Sequence, residues 1–291
     1  MTVESFQRAF PPRDVTARGR RIRCYAAGAG EPVMLVSGWP QSSYLWRDVL
    51  PGIAKGRRVI AVDPPGLGES EPPSDGYDAA NIAVCIDELA DALGIARFTL
   101  VGYDIGAWIG YAYAARYPQK LKRLVLIDAA IPGITPGDVY ALTPERVKMT
   151  WHFYFNALAD LPAALIAGRE RFYLDWLFRA RTTRTDAIHA AALDEYVRIY
   201  SAPGAMAAGF GYYRAIFDTA AQNRASAATG KLTMPVLAIG GGDWLGPAMR
   251  RMIEPVASNL RVEVIPECGH FVPEEAPEHV AALLGQFLPS A

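Results

Sequence analysis

The sequence predicts an α/β protein in which a mostly parallel sheet is flanked by helices and interrupted by a helical insertion. Three observations carry that expectation. Apolar, β-branched runs alternate with helical text in the first 130 residues and again near the end. Some runs are continuously apolar, such as Leu124-Val125-Leu126-Ile127, which suits strands covered on both faces. The alternation stops from about residue 131 to residue 225, where aromatic and Ala-rich helical text replaces it.

In chain order, strands are expected over residues 21–25, 33–37, 58–63, 98–103, 123–128, 235–240 and 261–265. Helical periods lie between them, notably over 81–93 and 107–117. The Pro-, Ser- and Asp-rich stretch 69–76 reads as a surface loop. The core is therefore expected from 1–132 and 226–291, with a helical cap, or lid, over 133–225.

Composition narrows the function classes. Of the 291 residues, 51% are hydrophobic and 20% charged, enough for a packed core and against general disorder. Lys and Arg number 29 and Asp and Glu 30, a net charge of −1, which lacks the basic footprint of a nucleic-acid binder. No stretch of about 18 apolar residues predicts a membrane span. The opening Met1-Thr2-Val3-Glu4-Ser5-Phe6 is unlike a signal peptide, and three scattered cysteines, Cys24, Cys85 and Cys268, fit a reducing cytoplasm. Neither CxxC nor HExxH occurs, so a metal site is not expected. The Gly66-Leu67-Gly68 turn has Glu71 where a dinucleotide fingerprint needs its third Gly, and reads as a structural loop.

The strongest chemical signal is Val101-Gly102-Tyr103-Asp104-Ile105-Gly106-Ala107. A strand ends in a sharp turn into a helix, with Asp at the position where many hydrolases carry Ser. Small residues at 102 and 106 let the backbones approach. The helix dipole favours an ionised carboxylate at Asp104; the alternative role is a plain helix cap. After the last strand, Glu267-Cys268-Gly269-His270 offers an imidazole able to act as general base near neutrality. Two acids could orient it, Asp128 and Asp243, both following strands. Ser37-Gly38-Trp39-Pro40 follows the second expected strand, and its backbone N–H at Trp39, with that of Ile105, could hold an oxyanion. In the insertion, His152 and Tyr213 are polar groups among aromatics, whereas His189 and His279 sit in surface-like text.

With these motifs on the page, the chain resembles the α/β-hydrolase superfamily, and within it the epoxide hydrolases, from about residue 32 to 288. Tyr103-Asp104-Ile105-Gly106-Ala107-Trp108, the stretch from Leu126 to Pro132, Trp151-His152-Phe153, the stretch from Leu165 to Phe172 and Tyr212-Tyr213-Arg214 look like the Cif-type members, a group named for a secreted bacterial virulence factor. The resemblance implies Asp104 as nucleophile, His270 as base and Asp128 as orienting acid. It also implies a cap pair, His152 and Tyr213, on the epoxide oxygen in place of the usual two tyrosines. The implied reaction is epoxide to vicinal diol through a covalent ester, with a small apolar epoxide and water as partners and no cofactor. Analogy extends to a homodimer. Ser37 and Tyr103 depart from the family, which usually has His at both positions. Virulence and secretion do not carry over.

Two rivals stand beside this reading. Haloalkane or haloacid dehalogenases use the same Asp nucleophile. Fluoroacetate dehalogenases resemble the chain at Trp151-His152 but bind the substrate carboxylate with two Arg where this chain has Ile105 and Trp108, which disfavours haloacids. A non-catalytic small-molecule binding protein would need no such constellation. A serine esterase is excluded, because no GxSxG occurs.

Overall fold

The computed structural model describes residues 1–139, 141, 143–144 and 146–288. Parts of the expected cap (140, 142, 145) and core (289–291) lie outside the described residues. Eight strands form one sheet: β1 (Pro12–Ala17), β2 (Arg20–Ala27), β3 (Glu31–Val36), β4 (Arg57–Val62), β5 (Phe98–Tyr103), β6 (Leu121–Ile127), β7 (Val236–Gly241) and β8 (Leu260–Ile265). Their spatial order is β1-β2-β4-β3-β5-β6-β7-β8. β1 and β2 run antiparallel to their neighbours and the remaining pairings are parallel.

Burial explains the pattern. β5 is buried along its whole length and β6 over Leu124–Ile127, as strands covered on both faces require. The helices Ala79–Ala92 and Ile105–Arg116 lie against the sheet. Asp78 caps the first of them by accepting the Asn81 N–H at 3.0 Å, so it begins two residues earlier than periodicity suggests. β1, absent from the expectation, is an edge strand that opens on Pro and faces solvent over most of its residues, so it has no apolar run to reveal it.

Between β6 and β7 come the helices Val147–Asn156, Leu161–Ile166, Glu170–Arg181, Ala190–Tyr200, Ala205–Arg214 and Ile216–Ala228, and no strand among the described residues. Register then decides what shares an edge. Val36 pairs with Gly102, Tyr103 with Ile127 and Ile127 with Ile239. The carboxyl ends of β3, β5, β6 and β7 are therefore level, and the loops carrying Trp39, Asp104, Asp128 and Asp243 leave the sheet on one side. In open α/β sheets that edge is where ligands bind. No helix among the described residues is long and apolar enough to cross a membrane.

Candidate active site

Asp104 sits at the turn from β5 into the helix Ile105–Arg116 with φ 53° and ψ −120°, a conformation L-residues rarely adopt. Local packing enforces it. A Cβ at Gly102 would lie 2.2 Å from the Gly106 carbonyl oxygen, and one at Gly106 would lie 2.2 Å from that of Val36. A strained backbone at such a position is a recurrent feature of reactive side chains. The Asp104 side chain makes no cap hydrogen bond to its own helix. Instead its Oδ1 accepts the Trp39 backbone N–H at 3.1 Å, and its Oδ2 lies 3.5 Å from His270 Nε2. Gly38 permits that approach, since a Cβ there would lie 2.5 Å from the Asp104 Cβ. Ile105 occupies the first helical position, where backbone N–H groups lack helical partners.

On the far side of the imidazole, His270 Nδ1 lies 2.7 Å from Asp128 Oδ2. Asp128 is fully buried, at φ 43°, and its Oδ1 accepts the Gly241 N–H at 2.9 Å. Asp243 takes the Thr183 hydroxyl at 3.0 Å. The acid left open by the sequence is thus brought to His270 in one case and directed elsewhere in the other. Burial by itself would lower the His270 pKa, but the carboxylates of Asp104 and Asp128 reverse that and hold it above its ordinary value.

The helix Val147–Asn156 brings His152 to the same cavity, and Ala205–Arg214 brings Tyr213 beside it, with ring centroids 5.4 Å apart. Burial, reinforced by the nearby cations Arg181 and His270, pushes the His152 pKa well below its usual value, so the imidazole is neutral. Burial raises the Tyr213 phenol well above 10, so it keeps its proton. His152 and Tyr213 are therefore both neutral groups able to donate.

The cavity holds about 430 Å³ of non-protein space, part of it open to solvent. Asp104, Asp128, His152, Arg181 and His270 line it, against an apolar wall that includes Trp108 and Phe153. Of the aromatics read from the insertion, Phe153 reaches the cavity. Phe155 and Trp176 pack on Trp151 instead, and Phe210 on Trp39. The two departures from family pattern are structural in effect: Ser37 Oγ donates to the Val62 carbonyl at 3.1 Å, and Tyr103 packs on the His270 ring at 5.5 Å between centroids. His189 and His279 are exposed.

Arg181 is the site residue the sequence reading missed. It ends the helix Glu170–Arg181, is 3% exposed, and its Nε and Nη2 find no hydrogen-bond partner among the described residues. A signal existed: Leu174, Leu177, Phe178 and Arg181 form the buried i, i+3, i+4, i+7 stripe of that helix, placing a cation where only apolar residues are expected. Among the described residues no three His, Cys, Asp or Glu side chains are grouped to hold a metal ion.

Comparison with known proteins places the chain in a family. The family model described as alpha/beta hydrolase fold matches residues 31–277. The chain is 36% identical to the soluble epoxide hydrolase of Corynebacterium sp. (strain C12) over 268 residues, which is 90% of this chain and 91% of that protein. It is 29% identical to the fluoroacetate dehalogenase of Burkholderia sp., covering 97% of this chain and 95% of the relative. Among solved structures, Cfl2 from Burkholderia cenocepacia superposes with a TM-score of 0.91 at 41% identity, covering 95% of each chain.

Proposed function

The chain belongs to the α/β-hydrolase fold family, among its epoxide-hydrolase-like enzymes, and from that premise we propose that it opens an epoxide to a vicinal diol through a covalent ester on Asp104. The observation that carries this reading is the double engagement of one carboxylate. Asp104 Oδ1 is held by the Trp39 N–H at 3.1 Å and Oδ2 faces His270 Nε2 at 3.5 Å. An oxygen already seated against a backbone N–H is the one that would become the oxyanion when water adds to the ester.

In the first step Asp104 Oδ2 attacks one epoxide carbon and the carbon–oxygen bond of the ring breaks. A carboxylate needs no base to activate it, and ring strain drives the opening. The ring oxygen leaves as an alkoxide between His152 and Tyr213, two donors from helices of the segment 133–225, which we take as the cap, and one of them gives it a proton. In the second step His270 removes a proton from water, whose oxygen attacks the Asp104 ester carbon. The N–H groups of Trp39 and Ile105 hold the oxyanion. Collapse expels the diol oxygen, which takes the proton back from His270. The proton remaining on the regenerated carboxyl group replaces the one given to the ring oxygen, so the sum is epoxide plus water to diol. Asp128 orients the imidazole and balances its charge.

A second reading, dehalogenation of a small haloacid, has two observations in its favour: the pocket contains the cation Arg181, which has no salt-bridge partner among the described residues, and a fluoroacetate dehalogenase is among the relatives. Against it, Trp108, which stands where fluoroacetate dehalogenases carry one of their carboxylate-binding Arg, supplies no donor to a ligand, since its indole N–H is committed to the Ala130 carbonyl at 2.9 Å. Parallel assays with styrene oxide and with fluoroacetate and bromoacetate separate the readings. Diol formation without halide release is expected; halide release without diol would establish the second.

A further inference from the structure

The pocket contains a cation that the proposed reaction does not use. Ring opening engages His152 and Tyr213, ester hydrolysis engages His270, Trp39 N–H and Ile105 N–H, and none of these steps calls on Arg181. Yet Arg181 lines the same cavity as Asp104, His152 and His270. Its backbone carbonyl accepts the His270 N–H at 2.8 Å, which fixes where the side chain starts.

An equally buried arginine shows what is missing. Arg47, also 3% exposed, pairs with the Glu274 carboxylate at 3.0 Å. Arg181 has no such partner among the described residues, and its Nε and Nη2 are both unsatisfied. The ion pair that Asp104 makes among the described residues is its 3.5 Å approach to His270. A guanidinium does not shed its charge in a protein; Asp104 across the cavity favours that charge, but its carboxylate is engaged by Trp39 and His270, and a buried cation without a directly paired acceptor is unfavourable. Apart from the ionisable groups already assigned, the wall includes Thr150, whose hydroxyl is turned to the Arg146 carbonyl at 3.0 Å, and apolar Trp108, Val139, Met149 and Phe153, none of which offers the guanidinium an anionic acceptor. The missing acceptor is therefore one that arrives with the ligand.

We infer that Arg181 binds a carboxylate on the substrate, so that the enzyme prefers an epoxide bearing an acid group over a purely hydrocarbon one, which it still opens. The planar fork of guanidinium donors matches two carboxylate oxygens. The pairing also offsets the repulsion that an anionic substrate meets from Asp104 and Asp128. The reacting group rests on the epoxide reading above; the preference for an acid rests on Arg181 alone.

The test uses cyclopropanecarboxylate and cyclopropanecarboxamide, unreactive mimics of a three-membered ring with and without charge, together with glycidate and 3,4-epoxybutanoate and their amides. Calorimetry on the wild-type chain should show the cyclopropane acid binding at least tenfold tighter than the amide. For at least one epoxide pair, kcat/KM should favour the acid by the same margin. In Arg181→Met both acid-to-amide ratios should fall to about one, and in Arg181→Lys they should recover in part. Wild type binding the acid no tighter than the amide overturns the inference without any variant. A ratio unchanged in Arg181→Met, in a folded protein, overturns it equally, since a purely structural arginine would affect acid and amide alike. Tight acid binding with no epoxide hydrolysed would instead remove the epoxide reading and leave the acid preference in place.

Discussion

Nδ1 of His270 lies 2.7 Å from Oδ2 of Asp128. The carboxylate is pinned from its other oxygen by the Gly241 N–H, so both the tautomer and the tilt of the ring are set by one buried acid. Asp128→Asn is expected to lower epoxide turnover by about 10³–10⁴-fold, as loss of the orienting acid does in hydrolytic triads. Asp243→Asn, which only loses a contact to Thr183, is expected to stay within about twofold. Steady-state rates for the two variants check this, and the reverse order would reassign the acid.

The pH dependence follows from the same ring. Two carboxylates hold the His270 pKa above its ordinary value against the effect of burial. As the base, His270 works only when neutral, so hydrolysis of the ester should rise with pH through that pKa. Alkylation removes the Asp104 charge, which had favoured the imidazolium. The base should therefore titrate at lower pH in the ester form than in the free enzyme. The Asp104→Asn variant mimics that loss. Its His270 ring, followed by NMR, should show a lower pKa than wild type; an unchanged or higher value contradicts the assignment.

Buried Glu275 holds the His270 loop. It accepts the N–H groups of Gly269 at 3.0 Å, Phe271 at 3.1 Å, Thr183 at 2.8 Å and Arg184 at 3.1 Å. Glutamine would turn an NH₂ group toward these donors. Glu275→Gln is expected to destabilise the fold by about 2–3 kcal/mol, the range for buried hydrogen bonds to a charged acceptor. Urea unfolding with unchanged slope measures it, and a loss within 0.5 kcal/mol, on the order of a surface change, would show that the loop is held otherwise.

The elbow gives a paired stability prediction. A Cβ at Gly102 meets the Gly106 carbonyl oxygen at 2.2 Å, whereas one at Gly285, in the helix Pro277–Phe287, meets nothing within 4 Å. Gly102→Ala is expected to cost about 2 kcal/mol or more through overpacking. Gly285→Ala is expected to stabilise by roughly 0.5–1 kcal/mol through helix propensity. Opposite shifts of the urea midpoint confirm the pair; equal shifts would refute it.

What the sequence revealed and what it hid have physical causes. β5 is legible to the residue because it is mostly apolar and β-prone throughout, and the elbow because its small residues answer a backbone collision. β1 is hidden because an exposed edge strand needs no apolar pattern. The choice between Asp128 and Asp243 is hidden because both follow strands whose ends are level, and only the placement of the His270 loop separates them. Arg181 is hidden because, at the end of a helix, arginine also reads as favourable to the dipole, and the buried stripe that marks it shows only when the helix is phased.

The central claim is that Asp104 forms a covalent ester. A His270→Gln variant mixed with styrene oxide and examined by intact-protein and peptide mass spectrometry tests it most directly. Capture of one substrate mass per chain, located on the peptide containing Asp104 and absent when Asp104→Ser is added, is the predicted result. Diol released by the enzyme with no adduct on that carboxylate, or an adduct on another residue, would contradict it.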